Sequence, residues 1–96
     1  MEKVGFQIRT DDGVINTSGE PIAVYGIHII SGETAGVVIL RNGTSTAGTA
    51  VIQEEGTISA GVTFHFGGSG VVFPSGCFVD VDANVSSVTV FYQRVK

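Results

Sequence analysis

Residues 77–94 read CFVDVDANVSSVTVFYQR, and their alternation decides the fold. Side chains along a strand point to opposite faces in turn, so residues two apart share a face. In the first half, Val79 and Val81 fall on one side and Asp80 and Asp82 on the other. In the second half, Val88, Val90 and Tyr92 oppose Thr89, Phe91 and Gln93. The second stretch carries an aromatic ring on each face. A strand that is apolar on both sides belongs in the centre of a sandwich or beneath a neighbouring subunit.

The same grammar runs outward along the chain. No window of about 11 residues shows helical periodicity. Val, Ile, Thr and Phe dominate, residue types that suit a pleated, half-buried surface. Turn signals recur roughly every 8 to 12 residues, the spacing of a sandwich or barrel. The predicted strands are 4–9, a short edge strand at 13–16, 21–31, 36–41, 47–53, 61–66, 71–73, 77–82 and 87–94. Asp11-Asp12-Gly13, Ser31-Gly32-Glu33, Asn42-Gly43 and Glu55-Gly56 mark turns between them. Gly26 interrupts the longest strand and signals a bulge or a close backbone approach. Gly67-Gly68-Ser69-Gly70 reads as a flexible hairpin loop, and Thr44 to Thr49 as a small-residue loop or flat edge strand. The expected fold is all-β: a single domain over residues 1–96, a two-sheet antiparallel β-sandwich, jelly-roll-like, with eight or nine strands. An immunoglobulin-like sandwich is the rival, but it usually carries a core Trp and this chain has none.

Composition narrows the function classes. A 9.9 kDa chain buries about 64% of its unfolded surface, enough for one thin core. Charged residues make up 15% of the chain, against about 25% in an average domain. That suits a chain that covers part of its outside with partners, and equally a small sandwich rich in Gly and Val. The net charge is −4 with five Lys plus Arg and no basic stripe, so nucleic acid is not an expected partner. The apolar run from Gly36 to Leu40 is too short to span a bilayer, so no membrane is expected. Met1-Glu2-Lys3-Val4 does not open a secretory leader, which points to synthesis in a cytoplasm and a soluble product. The sequons at Asn16, Asn42 and Asn84 then read as turns. Cys77 is the one cysteine, which excludes a disulfide within the chain and reads as a buried free thiol.

No catalytic pattern emerges, and the chain is not expected to be an enzyme or to hold a cofactor or metal. Asp80 and Asp82 share a strand face, as a Ca²⁺ or acid–base pair would, but no third ligand lies near and a solvated outer face explains them. Glu54 and Glu55 read as polar residues leading into a turn. His28 and His65 lie in apolar strands and are two ligands short of a tetrahedral zinc site, unless three-fold symmetry supplies copies. Neither has an evident Ser and Asp partnership, and no Gly-x-Ser-x-Gly elbow occurs.

Tyr25-Gly26-Ile27-His28-Ile29-Ile30-Ser31-Gly32-Glu33 followed by Val37-Val38-Ile39-Leu40-Arg41-Asn42-Gly43-Thr44 is similar to a pattern in small proteins of tailed phages. There too a Gly- and Phe-rich hairpin and a closing Val-Thr-Val-x-Tyr strand follow, here Val62 to Phe66 and Val88 to Tyr92. The resemblance spans roughly Pro21 to Gln93, and its motifs are structural rather than catalytic. It implies a virion component made in the host cytoplasm, foremost a capsid decoration or cement protein that stabilises the head where capsid subunits meet. Its implied partners are copies of itself, often as trimers, and the major capsid protein or another virion protein. Tyr25, Phe64, Phe66, Phe91 and Tyr92 are then the expected core or interface anchors. The alternative is a tail, fibre or baseplate part that binds a host glycan through Tyr25, Tyr92, Asp80 and Asp82.

Overall fold

The computed structural model describes residues 5–15 and 20–95. They form nine strands: β1 (Gly5–Arg9), β2 (Gly13–Ile15), β3 (Ile22–Ser31), β4 (Val37–Asn42), β5 (Thr49–Glu55), β6 (Gly61–His65), β7 (Val71–Phe73), β8 (Cys77–Val81) and β9 (Val85–Arg94). Each expected strand is present, although residues 4 and 16 of the expected ends lie outside the described residues. Among the described residues there is no helix, and so none long and apolar enough to cross a membrane.

The strands make two antiparallel sheets. One has the order β1-β9-β3-β6, with β7 also on β3; the other has the order β2-β8-β4-β5. The pairing is nested from the ends of the chain inward: β1 with β9, β2 with β8, β3 with β6 and β7, β4 with β5. The chain is thus one long hairpin, doubled about the β4–β5 turn and rolled until β9 also meets β3 and β8 also meets β4. β6 and β7 flank successive halves of β3, residues 26–30 and 22–24, and act as one strand broken by the Gly67 to Gly70 loop. Counted that way, eight strands lie in jelly-roll order.

β3 is long and central because it is apolar on most positions and pairs on both sides. A register shift between Val24 and Gly26 leaves Tyr25 as an extra residue, a β-bulge. The bulge switches parity. Even-numbered residues point inward before it and odd-numbered ones after it, so Ile22, Val24, Ile27 and Ile29 all enter the core. Gly26 is required by proximity: a Cβ there would sit 2.7 Å from the Phe64 carbonyl oxygen. Opposite β3, the second sheet contributes Ile15, Val38, Leu40, Cys77 and Val79. Phe73 closes the core and is fully buried. The buried Ser31 hydroxyl accepts a hydrogen bond from the Gly36 N–H at 3.0 Å, so its burial leaves no oxygen unsatisfied.

Most strand ends fall within one residue of the expectation, and the larger differences are two-residue shifts of β5, which spans Thr49–Glu55 rather than 47–53, and of the start of β9. β5 runs two residues further, so Glu54 and Glu55 are strand residues opposite Val38 and Val37 rather than the approach to a turn. The ladder persists because the Gly56 N–H still bonds to the Gly36 carbonyl at 2.8 Å. β9 begins at Val85, where a second register shift, between Ile30 and Ser31, accommodates Ser86.

Candidate interaction face

Strand register fixes what the outer face of the five-stranded sheet displays. Four cross-strand rows run over it, one of them, at the β7 end, made of Gln93, Ala23 and Val72, and the other three forming the candidate face. The first of these three is Phe6, Phe91, Gly26 and His65; the second is Ile8, Thr89, His28 and Thr63; the third is Ser87, Ile30 and Gly61. None of these residues is Asp, Glu, Lys or Arg. Phe6 is 64% exposed, Ile8 58% and Ile30 40%.

β1 is inverted relative to the usual sandwich rule. Its apolar residues, Phe6 and Ile8, face out, while Gln7 and Arg9 lie on the inner side opposite Val90 and Val88. The inner polar groups are engaged. Gln7 Nε2 donates to the Val14 carbonyl of β2 at 3.4 Å, bridging the two sheets. The Arg9 guanidinium donates to the Asp12 carbonyl at 2.8 Å and to the Asp11 carboxylate at 3.3 Å. These bonds hold the β1–β2 corner and keep Phe6 and Ile8 turned outward.

Both histidines lie on the same face. His28 Nδ1 and Thr63 Oγ1 share a hydrogen bond of 2.7 Å. The His28 ring lies over Gly61, where a Cβ would come within 2.7 Å of Nε2. At the bulge, the Tyr25 hydroxyl donates to Gln93 Oε1 at 2.7 Å, and Ala23, the cross-strand neighbour of Gln93, is buried although its position faces out.

The five aromatic anchors expected from sequence separate by face. Phe64, Phe66 and Tyr92 pack against the core from within. Phe91 lies on the outer face beside Phe6, and Tyr25 on its margin. Phe6, Ile8 and Ile30 were not among the expected anchors.

The second sheet presents a different exterior. Arg41 Nε donates to Asp80 Oδ2 at 3.0 Å across β4 and β8, and Arg41 Nη1 donates to the Gly48 carbonyl at 3.2 Å. Asp82 lies past the end of β8, where its two oxygens accept the N–H groups of Val37 and Asn84 at 3.0 and 2.9 Å. Asp80 and Asp82 therefore do separate structural work and form no joint site. Tyr92 and Tyr25 belong to the other sheet, so the four residues of the expected glycan set share no surface. Near Asp82 an open hollow of about 390 Å³ is lined by residues including Thr10, Asp11, Asp12 and Val85. The Asp12 carboxylate there accepts the Val81 N–H at 2.8 Å, which ties the β1–β2 connection to the end of β8. Among the described residues, no three His, Cys, Asp or Glu come together as a metal would need. Cys77 is fully buried and burial pushes its thiol up from 9.0 to about 12, which leaves little of the nucleophilic thiolate at neutral pH.

No protein-family model matches this chain, and neither does any curated protein or any solved structure.

Proposed function

We propose that this chain is a structural component of a phage particle, a decoration or cement protein that stabilises the head at junctions of capsid subunits. The inverted strand β1 is the observation that carries the assembly role. A small sandwich gains by placing Phe6 and Ile8 inside, at about 1.5–3 kcal/mol for each fully buried side chain. Here both are held in water with Gln7 and Arg9 turned inward instead. Such an arrangement suits a chain whose outer surface is covered in an assembly. The placement in a virion follows the resemblance of residues 21–93 to small phage proteins. Jelly-roll sandwiches serve in viral shells and also in lectins, so the fold by itself separates neither.

The test is the location of the chain in purified particles, by mass spectrometry of separated heads and tails and by three-dimensional reconstruction. The expected result is density for the chain at capsid-subunit junctions. Particles without the chain, or with it in tails alone, would overturn the head placement. A glycan array with bound sugars would favour the tail alternative.

A further inference from the structure

We infer that the outer face of the five-stranded sheet is a self-docking surface, on which a second copy of this chain packs face to face, with His28 and His65 inside the contact. The inference rests on the assembly reading above and names the occupant of the face.

Three features favour a second copy. The first is charge. Each chain carries −4, so two copies repel unless they meet where neither presents a carboxylate. The three outer rows are such a place. The second is relief. Phe6 and Ile8 stand up on β1 and Phe91 on β9, while Gly26 on β3 and Gly61 and Thr63 on β6 are low, with the His65 ring at the β6 end of the Phe6 row. A two-fold axis parallel to the strands turns one sheet left for right over the other. It sets Phe6 of one copy above His65 of its mate, Ile8 above Thr63 and Phe91 above Gly26, and the reverse contacts follow by symmetry. The third is area. The molecule measures 40 × 27 × 17 Å, so its broad face accommodates the about 800 Å² per partner of a standard interface.

The histidines give this contact a signature. Histidine is the side chain that ordinarily gains its charge between about pH 8 and pH 5. The groups facing His28 and His65 are Thr63 and Gly61 on β6, Thr89, Phe91 and Ser87 on β9, Gly26 and Ile30 on β3, and Phe6 and Ile8 beyond on β1. None is a carboxylate, so nothing on this face neutralises a cation. Protonation of both rings in both copies buries four unpaired charges, which opposes docking. It also changes the net charge of each chain from −4 to −2. That change alone lessens long-range repulsion, so dissociation on acidification reports the local burial of the rings.

Light scattering after gel filtration tests the inference, with circular dichroism confirming that each variant stays β-folded. The expected mass at pH 8 is twice 9.9 kDa, falling to the single-chain value at pH 5. Ile8→Glu weakens pairing roughly tenfold or more. Val51→Glu, at a residue of β5 that is 44% exposed and off this face, leaves pairing unchanged. His28→Gln with His65→Gln keeps the pair intact at pH 5. A single chain at every concentration, a trimer, or a pair indifferent to Ile8→Glu or to pH would overturn the inference. A chain that is single in solution yet present at capsid junctions overturns self-docking and keeps the virion reading. A pair that is absent from particles does the opposite.

Discussion

On the four-stranded sheet the centre of the outer face is the Arg41–Asp80 pair, about three-quarters buried and closed at 3.0 Å. On the five-stranded sheet the corresponding area holds Phe91, Gly26, Thr89 and His28, with no full charge anywhere in the three rows. The centres of the inner faces show no such contrast: Ile22, Val24, Ile27, Ile29, Val88 and Val90 on one sheet and Val38, Leu40, Cys77 and Val79 on the other are all at zero exposure. Folding therefore places the same demand on both sheets, and the difference lies wholly outside the core. The two exteriors therefore differ in chemistry, one closed by an ion pair and the other uncharged, and under the self-docking proposal the uncharged one is the face that a second copy covers.

The largest expected effect tests whether the inner faces are equivalent. Ile27→Ala in one sheet and Leu40→Ala in the other should each lower the unfolding free energy by about 2–5 kcal/mol in urea titrations. A cost near zero for either would mean that the sheets do not share one core.

A smaller effect comes from Cys77, on the inner side of the four-stranded sheet. Its thiol is raised from 9.0 to about 12 by burial. The folded chain therefore holds a proton that the unfolded chain gives up above pH 9. The stability linked to this group is complete below pH 9 and is lost as pH rises towards 12. The loss is at most about 1.4 kcal/mol per pH unit. Urea unfolding at pH 8, 9.5 and 11 should show a steeper alkaline decline in the native chain than in Cys77→Ala. Parallel curves would remove the claim.

The smallest effect distinguishes the exteriors directly. Arg41→Met should cost about 1 kcal/mol or less, with the difference shrinking in concentrated salt. Ile8→Glu should leave the stability of the single chain within about 0.5 kcal/mol, because the side chain is already in water. A large loss from Ile8→Glu in the single chain would mean that Ile8 packs inward and that the contrast between the faces is false.

The sequence disclosed most of the sandwich, because alternation and turn residues are local signals. Asn42-Gly43, Ser31-Gly32 and the bulge at Gly26 all fell where the structure has them. The end of β5 did not, since Glu54 and Glu55 resemble a polar turn while the ladder to β4 continues through them. The candidate face was much less legible. Alternation separates Phe6 and Ile8 from Gln7 and Arg9, but it does not say which pair is inside. Only the register of β1 on β9, with Gln7 beside Val90, decides that. Phe64 and Phe91 look equivalent in sequence for the same reason, yet one faces the core and the other faces away.

The register of β1 on β9 also sets where the chain can be attached to other things. Gly5 lies opposite Tyr92, so the first and last described strands run side by side and their outer ends leave from one rim of the molecule. Neighbouring termini of this kind tolerate joining, with new ends opened at an exposed loop elsewhere. The Gly67–Gly68 corner, where an added Cβ would meet no atom within 4 Å, is a fitting place for that cut. A passenger peptide joined ahead of β1 or after β9 would leave from the same rim, so a lattice of these subunits would display cargo at one point per subunit whichever strand carried it.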